Sequence, residues 1–203
     1  MAILKIIKNN YKDLSALYNL IHYSLFQKVY DENDCIIPYL ETFSPYFGGQ
    51  NLYLGPPQTC TPENVCSMIY QQMVYIISYY GKDSGQLLHH FVLSFDTRNT
   101  ESWITPEIAY QIACQLCSAP PLNDYQIVFG VHTNRPRHLH IHFIVNSCNP
   151  FTGRKLPDKK ETYTEIKKAI PRRDLVSGHS IENIELVYEQ NNPTIYCGRE
   201  LFS

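Results

Sequence analysis

The sequence predicts an α+β fold, with a central antiparallel β-sheet and helices packed mainly on one face. Segments with helix-start signals are interspersed with segments of alternating polarity, and two of the latter are joined by a short connection at positions 132–138. The length of 203 residues fits one domain. We therefore expect a single domain over residues 1–203, in which residues 171–203 form a C-terminal extension of unclear role.

Helix-start signals define four predicted helices. Asp13 is a candidate N-cap, and Thr61 and Thr105 are each followed by Pro and Glu, as is typical of a helix N-terminus. The predicted helices span residues 14–28, 62–80, 106–117 and 161–170. Strands are predicted at 87–95, 125–132 and 138–147, with one or two more in the tail at 181–201, and a long loop at the Gly- and Pro-rich stretch 43–62.

The composition excludes several classes of protein. The chain is 44% hydrophobic and 18% charged, so it can bury a core, and it has no run of about 18 apolar residues that would insert into a membrane. Its seven cysteines are odd in number and scattered, which argues against a disulfide framework. The N-terminus has no signal-peptide pattern. We expect a reduced, cytoplasmic protein.

Charge is distributed unevenly along the chain. The net charge is −2, which argues against a general nucleic-acid coat protein. Residues 154–173, however, contain eight basic and three acidic side chains, so this window carries a charge of +5. A basic face of this kind can bind phosphate groups.

The most informative pattern is a run of alternating histidines. His138, His140 and His142 share one face of a predicted strand, the open face, while the apolar residues between them face the core. Pairing with the preceding strand would bring His132 beside them, and Gly130 would leave space there. Neutral imidazoles that converge from adjacent strands suit a divalent transition metal, and without cysteine ligands they leave coordination positions open to substrate.

The strand at 87–95 extends this predicted surface. Its alternation directs His90 and Ser94 to the open face and leaves His89 on the core side. The prediction assumes that the three strands pair with one another.

A candidate nucleophile lies on the first predicted helix. The apolar stripe of this helix includes Leu17, Tyr18 and Ile21, and at 100° per residue Tyr23 lies opposite the centre of the stripe. Tyr18 is therefore predicted to pack in the core, and Tyr23 to face outward with Lys28 nearby.

These residues resemble the relaxase/mobilisation nuclease family of plasmids and integrative elements, especially its P-type mobilisation branch. The resemblance covers about residues 1–170. The chain departs from the family at Asn134, a position where family members often have an aspartate. The resemblance is carried by the pair His140-Ile141-His142 followed by Asn146, by the upstream His132, by His90 with Ser94-Phe95, and by Leu20-Ile21-His22-Tyr23.

The resemblance implies a relaxase-like two-layer sandwich and a metal-dependent, single-strand DNA endonuclease. His132, His140 and His142 would hold a divalent ion, Mn or Mg first, with Zn, Ni or Co as alternatives. Tyr23 would attack the scissile phosphate and form a 5′-phosphotyrosine, and His90 would assist positioning or proton transfer. No organic cofactor is expected.

The resemblance also implies partners and a biological role. The substrate would be single-stranded or hairpin DNA at an origin of transfer, and an accessory relaxosome protein and a coupling protein would join it in conjugative mobilisation of a plasmid or mobile element. The cations predicted to bind this DNA are Arg135, Arg137, Arg154, Lys155, Lys159, Lys160, Lys167 and Lys168.

Two alternatives stay open. A replication initiator or transposase of the wider histidine–hydrophobic–histidine endonuclease group would use a tyrosine that follows the metal motif, such as Tyr163. A non-catalytic DNA-binding accessory protein with the same fold would bind oligonucleotides without nicking them, which Asn134 in place of an acidic residue permits.

Overall fold

The architecture comes from a computed structural model, which describes residues 1–8, 11–33, 35–56, 60–97, 102–134, 139–173 and 178–190. These ranges contain eight strands and four helices, in the order β1 (Ala2–Lys8), α1 (Leu14–Leu25), β2 (Phe26–Tyr30), β3 (Ile36–Phe43), β4 (Phe47–Gln50), α2 (Pro62–Tyr79), β5 (Leu88–Phe95), α3 (Pro106–Cys117), β6 (Ile127–His132), β7 (His140–Asn146), α4 (Lys160–Ala169) and β8 (Ile184–Gln190).

Six strands form the central sheet, in the order β4-β6-β7-β5-β1-β8, and β2 pairs with β3 in a separate hairpin. The predicted α+β class is confirmed. The sheet is mixed rather than wholly antiparallel, because β8 runs parallel to β1 while the other neighbours are antiparallel. Residues of the predicted C-terminal extension therefore form an edge strand of the sheet.

Helices cover both faces of the sheet. The sequence, in contrast, predicts helices mainly on one face. Phe91, Phe129 and Phe143 pack on one side with α3 and α4, whereas Val128 and Ile144 pack on the other side with α1 and α2. The histidine face is thus covered by α1 over β6 and β7. Alternating polarity predicts which residues share a face, but it does not show whether a helix covers that face.

Local signals place most helix starts correctly. The side chains of Asp13, Thr61 and Thr105 accept hydrogen bonds from backbone N–H groups in the first turns of α1, α2 and α3. The first helix ends three residues earlier than predicted, and Lys28 lies in β2. Strand β4 lies within the stretch predicted to be a loop, where Gly48 and Gly49 pair with β6.

No described helix combines the length and the apolar character needed to cross a lipid bilayer. The six cysteines within the described ranges are all free thiols. The seventh, Cys197, lies outside the described residues.

Helix α1 lies very close to the sheet at Gly130 of β6. A Cβ atom at this position would overlap the carbonyl oxygen of Ser24 and would lie 3.5 Å from the Cα of Leu25. The space that the sequence predicts beside the histidines is therefore filled by helix backbone. Glycine allows the last turn of α1 to lie directly on β6.

Replacing Gly130 with alanine should lower the free energy of unfolding by about 1–3 kcal/mol, because the new methyl group must displace the end of α1. Urea denaturation measures this loss. Ser78→Ala, on the exposed surface of α2, is the control and should change stability by less than about 0.5 kcal/mol. Equal stability of Gly130→Ala and the wild type would show that this close approach is not required.

Candidate functional site

Three histidines converge on the sheet face beneath α1. His132 on β6 lies directly opposite His140 on β7 in the strand register, and His142 follows two residues later on the same face. One nitrogen from each ring lies within 4.8 Å of the others. The ring centroids of His132 and His142 are 4.5 Å apart, and those of His140 and His142 are 5.0 Å apart. This histidine cluster could hold a metal ion; His138 lies outside the described residues.

Burial keeps two of these imidazoles neutral. The exposed fractions of His132 and His142 are 4% and 3%, whereas His140 is partly exposed. Burial, reinforced by repulsion from His140, lowers the pKa of His132 to about 3. Burial, followed by the charges of the neighbouring histidines and Lys5, holds the pKa of His142 well below its ordinary value. A neutral imidazole is the form that binds a metal.

Hydrogen bonds outside the cluster orient its rings. The Nε2–H of His132 donates to the carbonyl oxygen of Ser24 over 3.1 Å. The Nδ1 of His142 lies 3.1 Å from the Nε2 of His90, and the Nδ1 of His90 lies 3.4 Å from the hydroxyl of Tyr11. Metal-binding histidines commonly have such partners on the second ring nitrogen, which fix the ring orientation.

Position 134, where the family resemblance implies an acidic partner for the histidines, has another role. The side-chain amide of Asn134 donates to the carbonyl oxygen of Lys28 over 2.7 Å, and its backbone N–H donates to the side chain of Gln27 over 3.1 Å. These bonds attach the segment after His132 to β2. Sequence reasoning missed Gln27, Tyr11 and the Ser24 carbonyl, because none belongs to a recognisable motif.

One buried atom in the cluster points to a ligand. Among the buried side-chain nitrogens and oxygens of the described residues, His142 Nε2 alone has no hydrogen-bond partner. An unsatisfied buried polar atom is unfavourable, and a cation held by the three histidines would satisfy it. The donor set therefore fits a divalent ion.

A cation bound at Nε2 of His142 would also determine which ring nitrogens of His142 and His90 carry protons. The Nε2 atom must then carry a lone pair, so the Nδ1–H of His142 donates to His90. The Nδ1–H of His90 in turn donates to the Tyr11 hydroxyl. His90, whose burial lowers its pKa to about 3, thus contacts His142 as a neutral ring.

Tyr23 lies directly beside the cluster. Its ring centroid is 4.9 Å from that of His142 and 6.0 Å from that of His132. The sequence predicts a tyrosine that faces away from the apolar stripe of α1, but the side chain is half-buried, because the last turn of α1 ends over the histidines. Tyr18, predicted to pack in the core, makes an edge-on contact with Tyr70 at 5.6 Å.

The cations predicted to bind DNA do not gather at this cluster. Arg154 and Lys155 follow β7 at the end remote from His140, and Arg135 and Arg137 lie outside the described residues. The other four are on or beside α4, which packs against the phenylalanine face of the sheet: Lys159, Lys160, Lys167 and Lys168. A DNA-binding role for these residues stays a prediction. It would require DNA to reach the phenylalanine side of the sheet, opposite the histidine cluster.

Tyr163, the nucleophile of the replication-initiator alternative, is in the wrong place for that role. It is 2% exposed and packs in the core on the face opposite the cluster. Its hydroxyl donates to Asp158 over 2.6 Å and lies 2.9 Å from Nδ1 of His89. Burial and the Asp158 carboxylate raise its pKa. The structure therefore contradicts Tyr163 as the attacking residue.

The buried imidazoles predict acid sensitivity. Burial lowers the pKa of His89 to about 4 and those of His90 and His132 to about 3, whereas an unfolded histidine titrates near about 6.5. Below about pH 6.5 only the unfolded chain gains protons at these sites, so stability is complete above that pH. It declines as the pH falls toward 3, by up to roughly 1.4 kcal/mol per unit for each ring.

Urea denaturation at pH 7.5, 6.0 and 5.0 in the presence of a chelator measures this decline. His22→Ala, which removes a partly exposed imidazole, should retain the full slope. A free energy of unfolding that stays constant across this pH range would contradict the burial of these histidines in their neutral form.

Comparison with known proteins gives relatives that each match about half of this chain. Protein rlx of Staphylococcus aureus is 37% identical over 90 residues, which cover 44% of this chain and 26% of that protein. The group II intron-interrupted relaxase LtrB of Lactococcus lactis subsp. cremoris is 29% identical over 101 residues, which cover 50% of this chain and 16% of that protein. This chain thus spans about a quarter of the first relative's length and about a sixth of the second's. No solved structure matches it.

A family model matches residues 53–174, which is more than half of the chain. The matched range includes His90 and the three clustered histidines, and it begins after Tyr23. Because the match covers more than half of its length, the chain belongs to the MobA/VirD2-like relaxases and contains their nuclease domain.

Proposed function

We propose that this chain nicks one strand of DNA at an origin of transfer and stays covalently joined to the 5′ end through Tyr23. The observation that carries the proposal is the 4.9 Å separation between the rings of Tyr23 and His142. A phenol beside neutral imidazoles puts a nucleophile next to a cation site, which is the pairing that phosphoryl transfer to a protein side chain needs.

The cation would be held by His132, His140 and His142. Mn²⁺ or Mg²⁺ is our first choice, with Zn²⁺, Ni²⁺ or Co²⁺ as alternatives. A divalent ion there supplies positive charge to the oxygens of the scissile phosphate. His90 acts as a positioning residue, since it holds Nδ1 of His142, and the Ser24 carbonyl does the same for His132.

The covalent step exchanges one phosphate ester for another. The Tyr23 oxygen loses its proton and forms a bond to phosphorus, while the bond between phosphorus and the 3′ oxygen breaks. The 3′ oxygen takes up a proton and leaves as a hydroxyl. Because the ester is conserved as 5′-phosphotyrosine, attack by a 3′-hydroxyl in the reverse direction rejoins the strand.

We extend this proposal to the initiation of conjugative mobilisation of a plasmid or mobile element. Single-stranded or hairpin DNA would be the substrate, and an accessory relaxosome protein and a coupling protein would be the partners. The name of the relative LtrB, a relaxase, and the matched relaxase family support this role.

Divalent metal should stabilise the folded chain through the histidine cluster. A metal concentration of about 100 times the dissociation constant should add roughly 3 kcal/mol of stability, detected as a rise in the thermal midpoint. His140→Ala should abolish the rise, and His90→Ala should weaken metal affinity about 10- to 100-fold. His22→Ala is the control and should respond as the wild type does; loss of the response in this variant would place the metal elsewhere.

Tyr23→Phe should abolish the covalent adduct, because it removes only the attacking oxygen. The measurement is mass spectrometry after incubation with Mn²⁺ and single-stranded DNA from the genetic neighbourhood of the coding sequence. Tyr18→Phe and Tyr163→Phe are matched controls that should still form the adduct. An adduct in Tyr23→Phe would refute the proposal, and DNA binding without an adduct in the wild type would favour the non-catalytic accessory protein.

A further inference from the structure

Helix α1 closes the histidine cluster on the β6 side of the sheet face. Helix α1 lies against β6 at Gly130, so a DNA strand cannot approach over that strand. In the opposite direction Val92 on β5 is also buried, at 7% exposure, and well-exposed side chains begin on the two strands beyond it, β1 and β8. The side chains of Lys5 on β1 and Glu189 on β8 are 39% and 48% exposed, and their charged groups lie 2.8 Å apart.

Lys5 lies in the same row of the sheet as His142. It is opposite Val92 in the pairing of β1 with β5, and Val92 is opposite His142 in the pairing of β5 with β7. Residues directly opposite one another point to the same face. Two strand spacings separate Lys5 from His142, or roughly 10 Å, and the lysine charge contributes to lowering the pKa of that histidine.

No other lysine or arginine of the six described sheet strands shares this face. The second lysine, Lys8, points to the opposite side, where its Nζ lies 4.6 Å from the centre of the Tyr163 ring and pairs with Asp158. A polyanion that reaches the cluster across β5 and β1 therefore meets Lys5 as its first fixed positive charge on the sheet.

We propose that Lys5 binds a phosphate group of the DNA strand beside the histidine cluster. In the absence of DNA, Glu189 is the ion-pair partner of Lys5, and the phosphate displaces the Glu189 carboxylate. The inference rests on the proposed function, since it takes single-stranded DNA as the ligand. The exposed ion pair is weak enough to exchange, because solvent screens both charges and the long side chains lose freedom in holding it. A phosphate oxygen offers the same ammonium group a charge-assisted hydrogen bond.

Binding of a fluorescein-labelled, mixed-sequence single-stranded DNA 30-mer, followed by anisotropy in EDTA, tests the proposal without cleavage. Lys5→Gln should weaken affinity roughly three- to tenfold and reduce the slope of log affinity against log salt by about 0.7, the loss of one phosphate contact. Glu189→Gln should strengthen binding, because it frees Lys5. Both variants break the same ion pair. If that pair only stabilised the fold, both substitutions would therefore change DNA affinity in the same direction.

Lys12→Ala, which removes an exposed positive charge just before α1, is the matched control and should bind as the wild type does. Lys168→Ala tests the alternative face, since this lysine forms a similar exposed pair with Glu165 at 2.9 Å on α4. A loss of affinity in Lys168→Ala with none in Lys5→Gln would assign the DNA to the α4 face and overturn the proposal.

The experiment separates this inference from the proposed function. If the wild type binds the oligonucleotide and forms the tyrosine adduct, but Lys5→Gln and Glu189→Gln leave affinity unchanged, only the role of Lys5 is refuted. If the wild type does not bind this oligonucleotide, the role of Lys5 is refuted, and the adduct experiment with Mn²⁺ still decides the proposed function.

Discussion

The close packing of α1 on β6 is the constraint on which the candidate site depends. Because Gly130 has no side chain, the backbone at Ser24 reaches the sheet. The Ser24 carbonyl then accepts the hydrogen bond from His132, and Tyr23, one residue earlier, lies against the rings of the cluster. One backbone contact thus orients a metal-binding candidate and positions the candidate nucleophile together. Any change that lifts the end of α1 alters both.

The cluster is also an energetic compromise. Burying imidazoles among apolar groups is unfavourable unless their nitrogens find partners. His90 and Tyr11 satisfy one side of His142, and Ser24 satisfies one side of His132, whereas His142 Nε2 has no hydrogen-bond partner within the described structure. Stability and ligand binding therefore compete at this point, and a bound cation would reconcile them by taking up the remaining lone pair.

The two faces of the sheet have different roles. On one face, stacked rings such as Phe91 and Phe143, 4.8 Å apart, form an apolar core with α3 and α4. Even the polar groups on that face, His89 and Tyr163, are bonded to each other and to neighbouring residues. The other face carries the histidine cluster and Tyr23. Since the lysines of α4 lie on the apolar core's side, a basic stretch in the sequence is not by itself a basic surface at the site.

Features that depend on near neighbours in the chain follow from the sequence alone. Helix caps such as Thr61 and Thr105 act within one turn, and the alternation of His140 and His142 with apolar residues follows from the two-residue period of a strand. Three features instead follow from tertiary packing: what covers the histidines, where β4 and β8 join the sheet, and which tyrosine reaches the cluster. Those outcomes depend on contacts between distant segments, which local periodicity does not encode.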